Sequence, residues 1–280
     1  MKGVIVAAGY GSRFLPVTRV VPKELLPIVD RPAIDWVVEE FQQAGIDEVL
    51  VITSRRKRSI EDWFDRDPEL EPLYPPERLA RPTVKATFVR QAEMKGTGHA
   101  LLLAKSFVGD DPFVVAFPDD LFAPADRNCS QILVDLYERT GCSVLAAGDL
   151  GRDADVSRYG VLDVHERDGV QRVRGIVEKP VPGTEPTKIV SWGRYLYTPE
   201  LFRELEDGVD RPRTGEYYAT EAIQALCDRD RVVAATIPQA RWDTGERLGY
   251  LQTVIRVALD HPTLGEPLRT WLDDHLKAGR

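Results

Sequence analysis

Three short stretches of this chain carry residue types that suit phosphate and metal chemistry. Gly9-Tyr10-Gly11-Ser12-Arg13 follows an apolar run and forms a glycine-rich loop with a cation inside it. At the carboxyl end of a strand such a loop lets backbone N–H groups approach a phosphate, although a G-x-G pair serves equally as a tight turn. Lys23 lies between Pro22 and Pro27, on a stiff segment that can hold an ammonium as a point charge; taken alone it reads as well as a solvated surface lysine. Asp119, in Phe117-Pro118-Asp119-Asp120, follows another apolar run. Its carboxylate could hold Mg²⁺ or simply cap a turn.

These residues need a sheet to carry them. Apolar runs at 3–8, 48–53, 84–89 and 113–117 read as strands, and amphipathic stretches at 33–44, 57–64, 98–106 and 130–139 as helices between them. Gly45 and Gly141 stand where helix stops belong. The alternation predicts an α/β fold with a Rossmann-like mixed, mostly parallel central sheet flanked by helices. Past residue 143 strands dominate, at 144–147, 161–164, 170–177 and 189–197, which predicts an added antiparallel section. Helices return at 199–206, 218–229, 246–260 and 266–277. The expected organisation is one domain, with a first half over 1–142, a second half over 143–245 and a C-terminal helical segment over 246–280. Prolines 68, 72, 75, 76 and 82 predict an exposed excursion at 65–82.

Several function classes fall away. A dinucleotide fingerprint needs a third glycine where Phe14 stands, and Pro16 interrupts the helix that should follow. Cys129, Cys142 and Cys227 have no C-x-x-C spacing, and the four histidines form no i, i+4 pair, so neither a disulfide framework nor a zinc site is expected. No Ser-His-Asp or Cys-His set stands out. A formal charge of −8 argues against a nucleic-acid partner. The N-terminal MKGVIVAAGYGSRF reaches glycines after a short apolar run, so no signal peptide or membrane span is expected, and a cytoplasmic location is.

The run GVIVAAGYGSRFLPVTRVVPKELLPIVDRP resembles the sugar-1-phosphate nucleotidyltransferases, specifically their bacterial UTP–glucose-1-phosphate uridylyltransferase branch. That branch reads approximately AAGxGTRFLPATK and IPKEMLPIVDKP, whereas cousins that use dTTP read RLHP and SKQLLP. Further matches are VRQAEMKGTGHA, FPDDLF, SRYGVLD, VEKP, GRYLYTPELF and WDTGERLGY. The resemblance implies condensation of UTP with glucose 1-phosphate, by in-line attack and without a covalent intermediate, to give UDP-glucose and pyrophosphate. It makes 1–142 the nucleotide-binding half and 143–245 the sugar-binding half, and places nucleotide contacts on Ala8, Gly9, Gly11, Ser12, Arg13, Lys23, Gln91 and Gly96. Sugar contacts fall on Tyr159, Gly160, Glu178 and Lys179, and Mg²⁺ on Asp119 and Asp243. Arg13, Lys23, Asp119 and Lys179 carry the chemistry. It also implies a homodimer or homotetramer, for which Leu248, Leu251, Val254 and Leu259 supply apolar positions. The alternatives are a thymidylyl- or cytidylyltransferase, or a non-catalytic sugar-nucleotide sensor. One departure bears on the sugar: the branch reads GEIQLTDAI where this chain has Gly215-Glu216-Tyr217-Tyr218-Ala219-Thr220-Glu221-Ala222-Ile223.

Overall fold

The structure, a computed structural model, describes residues 1–75, 79, 81–212 and 214–277. Its first half is a parallel sheet: β1 (Lys2–Val6), β4 (Glu48–Thr53), β5 (Lys85–Arg90) and β6 (Phe113–Ala116) lie in the order β5-β4-β1-β6. The apolar runs of β1, β4 and β6 are continuous because these strands are covered on both faces, whereas the edge strand β5 alternates between exposed and half-buried residues. Ile5, Val49, Val51, Val114 and Ala116 enter one core; Val4, Leu50, Ile52, Phe113 and Val115 enter the other. The first core is closed by α1 (Ala33–Gln43), α2 (Arg58–Phe64) and α5 (Cys129–Thr140). In α1 the apolar set Ile34, Val37, Val38 and Phe41 repeats at helical spacing, so one stripe faces the sheet. An Asn128–Gln131 capping box starts α5, and Gly141 ends it in the left-handed conformation.

The sheet continues without a break into the second half as β11 (Ile189–Tyr197), β8 (Ser143–Asp149), β12 (Val232–Thr236), β10 (Val170–Glu178) and β9 (Gly160–Arg167). Here β11 runs antiparallel to both β6 and β8, β12 runs parallel to β8, and β10 and β9 are antiparallel neighbours. Val190 of β11 also pairs with Val161 of β9, curling this end of the sheet towards closure. The second core is covered by α3 (Thr97–Leu102), α4 (Lys105–Val108), α6 (Glu200–Val209) and α7 (Thr220–Cys227). Two C-terminal helices follow, α8 (Arg247–Asp260) and α9 (Gly265–Lys277).

The α/β architecture and the added antiparallel section agree with the sequence reading, with local differences. The helix expected over 98–106 is two short helices. The strand over Val232–Thr236, only five residues long and mostly alanine and valine, was not anticipated. Two short pairs were missed as well: β2 (Pro27–Ile28) with β3 (Arg31–Pro32), and β7 (Asp120–Phe122) with β13 (Arg241–Asp243). Strands of two or three residues have no readable period. Residues 65–75 are exposed turns, as the prolines imply, while 76–78 and 80, and 278–280 of the C-terminal segment, lie outside the described residues.

Candidate active site

Two cavities open at the carboxyl ends of the parallel strands and meet at Asp119. Each has a volume of about 300 Å³. The first is lined by Ala8, Gly9, Lys23, Gln91 and Gly96, the second by Tyr159, Gly160, Glu178, Lys179 and Asp243; Thr97, Phe117 and Asp119 line both. Residues from seven segments thus form one cleft with a carboxylate at its waist.

The glycine-loop cavity is built mainly from backbone. Gly11 adopts φ +65°, which turns the chain into a short 3₁₀ turn over Ser12–Phe14. Helix α8 braces the far side of this loop: Arg247 Nε donates to the Arg13 carbonyl (2.8 Å) and the Tyr250 hydroxyl to the Pro27 carbonyl (2.7 Å). Gln91, nearly fully buried, donates from Nε2 to the Gly96 carbonyl (3.0 Å), and the same Nε2 lies 3.1 Å from Nδ1 of His99. Gly96 has φ +100°, and a Cβ there would collide with the Tyr217 backbone. The glycine is therefore required by this backbone packing, whatever else it contacts. Lys23 donates to Asp119 Oδ2. Burial depresses its ammonium, but the charges of Asp119 and Glu24 outweigh that and raise it above its ordinary value.

Three expected nucleotide contacts, Gly11, Ser12 and Arg13, do not line the glycine-loop cavity, and Gly11 serves as the turn beside it. Ser12 lines a neighbouring hollow with Thr18, Pro22 and Lys57. Arg13 lines the second cavity, where Nη1 donates to the Gly245 carbonyl (3.3 Å). The 3₁₀ turn swings both side chains off the loop's inner face.

The short β7–β13 pairing sets the acidic waist. It puts Asp243 opposite Asp120, and the Thr244 N–H donates to the Asp119 carbonyl (2.9 Å). Both carboxylates consequently converge on Gly245: a Cβ built there would lie 2.5 Å from Asp119 Oδ2 and 3.2 Å from Asp243 Oδ1. Burial pushes the Asp119 carboxyl up, yet the Lys23 charge and hydrogen bond, with Arg241 behind, hold it below the usual range. Two converging carboxylates form a hard oxygen donor set suited to a divalent cation that takes its remaining ligands from phosphate and water. Among the described residues no third Asp, Glu, His or Cys joins them.

At the Glu178 cavity, Lys179 holds an unusual φ of +48°, fixed by donation of its N–H to the Tyr159 carbonyl (2.9 Å). Its ammonium lies 3.4 Å from Glu178 and 4.8 Å from the centre of the Tyr218 ring. The two tyrosines that depart from the related pattern diverge in direction. Tyr217 turns inward and its hydroxyl donates to the Leu205 carbonyl (3.1 Å), whereas Tyr218 lines the cavity. Sequence reasoning missed Arg158 and Arg241. Arg241 pairs with Asp120, lies 3.5 Å from Asp243 and faces the Tyr159 ring. Its position two residues before Asp243 was the available signal.

The sequence pattern of the nucleotidyl transferase family matches residues 2–258. The chain belongs to that family. It is 38% identical over 281 residues to the UTP–glucose-1-phosphate uridylyltransferase of Staphylococcus epidermidis, an alignment covering 97% of this chain and 96% of the relative. Among solved structures it superposes on a UTP-bound UGPase from Acinetobacter baumannii with TM-score 0.85 and 34% identity, covering 97% of this chain and 98% of the other. A UDP-glucose pyrophosphorylase complexed with UDP-glucose gives TM-score 0.83 and 33% identity over 93% and 99% of the two chains. These family members share the fold that builds the cleft.

Proposed function

We propose that this family member joins UTP to glucose 1-phosphate, releasing pyrophosphate and forming UDP-glucose. The observation that carries the reading is the pair of cavities meeting at Asp119, one walled by a glycine loop and an amide, the other by Glu178 and Lys179. The glycine loop and Lys23 would take the UTP phosphates. With Gln91 Nε2 engaged by Gly96, the acceptor half of its amide is left for a pyrimidine N3–H. Glu178 would accept from sugar hydroxyls, Gly160 would admit the sugar ring close to backbone, and Lys179 and Arg13 would meet the sugar phosphate.

The reaction is in-line attack of a phosphate oxygen on the α-phosphorus. The nucleophile is already largely dianionic near neutrality, its second pKa being about 6 by analogy with phosphoserine, so the chain supplies neither a nucleophile nor a general base. Its work is to align the two phosphates and to offset their repulsion by Lys23, Lys179 and Arg13. Asp119 and Asp243 would hold Mg²⁺, which contributes charge neutralisation at the α-phosphate when bound.

The location proposed is the cytoplasm; no helix among the described residues is long and apolar enough to cross a membrane. Leu248 and Leu251 are more than half exposed, and Ile255 continues their stripe along α8. We assign that stripe to a homo-oligomer contact, which light scattering at micromolar concentration would test; a monomer there removes it. The reaction itself is tested by a matrix of nucleoside triphosphates against sugar 1-phosphates, read by pyrophosphate release. UTP with glucose 1-phosphate should give the highest kcat/KM. A tenfold preference for dTTP, CTP or another sugar would change the substrates assigned, and no pyrophosphate from any pair would favour the sensor.

A further inference from the structure

A second, hidden ion pair lies directly behind the proposed phosphate-binding lysine. Lys57 Nζ donates to both carboxylate oxygens of Glu24 (2.7 Å each) and to the Ala7 carbonyl (2.6 Å). The side chains of Lys57 and Glu24 are 6% and 0% exposed, against 18% and 23% for Lys23 and Asp119. Burial pushes Glu24 up and Lys57 down, each opposed by the other's charge. Desolvating two charges cancels much of their attraction, so a buried pair of this kind is a poor way to gain stability. Its placement has a different consequence.

The three partners belong to three separate segments. Ala7 leads into the glycine loop; Glu24 lies in the 3₁₀ turn Lys23–Leu25; Lys57 stands at the start of α2, beyond the end of β4. Neighbours on a 3₁₀ turn project about 120° apart, so a carboxylate clamped inward fixes the bearing of the ammonium beside it. Glu24 and Lys23 are such neighbours, and Lys23 reaches into the cleft towards Asp119.

We propose that the Glu24–Lys57 pair is a positioning device that holds Lys23 and the glycine loop in register for the nucleotide phosphates. This rests on the reading of Lys23 as a phosphate-binding residue. Without Lys57, the stranded Glu24 carboxylate becomes a competitor for the Lys23 ammonium next to it.

The test compares Lys57→Met, Glu24→Gln and the double variant, with Lys57→Arg as the conservative change and Lys23→Ala as the reference. Each is assayed as the full-length enzyme well below its melting temperature, and rates are normalised to the folded fraction by circular dichroism. Lys57→Met should lower kcat by ~30-fold or more while KM for glucose 1-phosphate stays within about twofold, because neither Glu24 nor Lys57 lines the Glu178 cavity. The double variant should be faster than Lys57→Met alone, since removing the stranded charge frees Lys23. Should Lys57→Met fail to fold, Glu24→Gln and Lys57→Arg carry the same test, each expected to lose severalfold in kcat at unchanged sugar KM. Variants that melt earlier but keep wild-type kcat per folded molecule would reduce the pair to a structural role and overturn the proposal. A double variant no faster than the single would overturn the competition argument. If Lys23→Ala itself kept its turnover, the underlying reading of Lys23 would fall instead.

Discussion

The two ends of the cleft are built from different materials. At the glycine-loop end, positions are set by backbone: the left-handed turn at Gly11, the Gly96 carbonyl that orients Gln91, and the Ala7 carbonyl gripped by Lys57. At the Glu178 end, they are set by side chains arriving from the residue before β9, from β10, from β13 and from the segment before α7: Tyr159, Glu178, Arg241 and Tyr218. A backbone-built site admits few sequence changes, whereas a wall of side chains can be altered one residue at a time. In the proposed reaction the first end would take the nucleotide phosphates and the second would tell one sugar from another.

The waist between them should be the most sensitive place. Asp119→Asn is expected to lower kcat on the order of 10³-fold, corresponding to the several kcal/mol that metal-based charge neutralisation supplies. Asp243→Asn should lose less, because its carboxylate lines only the second cavity. If both serve one ion, the double variant loses far less than the product of the two. Steady-state rates over a Mg²⁺ titration decide this. Full multiplicativity would mean two separate roles, and turnover untouched by EDTA would remove the metal from both.

Next in size is Lys23→Ala, a substitution at the backbone-built end. Losing one preorganised cation at the phosphates should lower kcat by ~10²-fold, about 3 kcal/mol. A retained fold by circular dichroism separates this from unfolding. Near-normal turnover would make Lys23 an ordinary half-buried lysine, and would weaken the contrast between the two ends.

That contrast also explains what could be read from the chain alone. The glycine loop, Lys23 and the strand that carries them lie within the first 30 residues, so type and spacing survive in a single stretch. Asp119 was legible because it follows a buried strand. Arg241 was not, since its meaning depends on Asp120, which is 121 residues away and meets it only through the three-residue β7–β13 pairing. Lys57 was invisible for the same reason: in sequence it opens an amphipathic helix, and only the fold brings it to Glu24. Ser12 and Arg13 were rightly seen as part of the loop, but the direction a side chain takes from a 3₁₀ turn has no signature in residue type.

The side-chain-built end yields a smaller and more selective effect. Tyr218→Ala removes a cavity wall and the ring facing the Lys179 ammonium. A partly exposed cation–π contact contributes about 0.5–2 kcal/mol, so KM for glucose 1-phosphate should rise roughly 2- to 30-fold. KM for UTP should stay within about twofold. Tyr218→Gln, the residue found in the related pattern, should leave turnover high while changing the ranking of hexose phosphates. Equal shifts in both KM values would show that Tyr218 shapes the whole cleft, and the division into two ends would fail there.

The smallest effect is expected next door, and it gives the contrast its control. Tyr217 turns away from the cleft, with its ring against Gly98 and Gly208 and its hydroxyl donating to the Leu205 carbonyl. Tyr217→Phe keeps the ring and deletes a buried hydroxyl that lies 3.1 Å from the Leu205 carbonyl and 3.4 Å from that of Glu204, costing about 1 kcal/mol of stability. Both KM values and kcat should remain at wild-type levels, because the Tyr217 backbone still accepts from Gly98 N–H and donates to the Lys95 carbonyl. Those two bonds, with the Ala219 N–H donating to Thr97 Oγ1 (3.0 Å), hold this segment against the glycine-loop end without the hydroxyl. A loss of turnover larger than the loss of stability would mean that the hydroxyl transmits to the cleft. Adjacent tyrosines would then no longer separate packing from recognition.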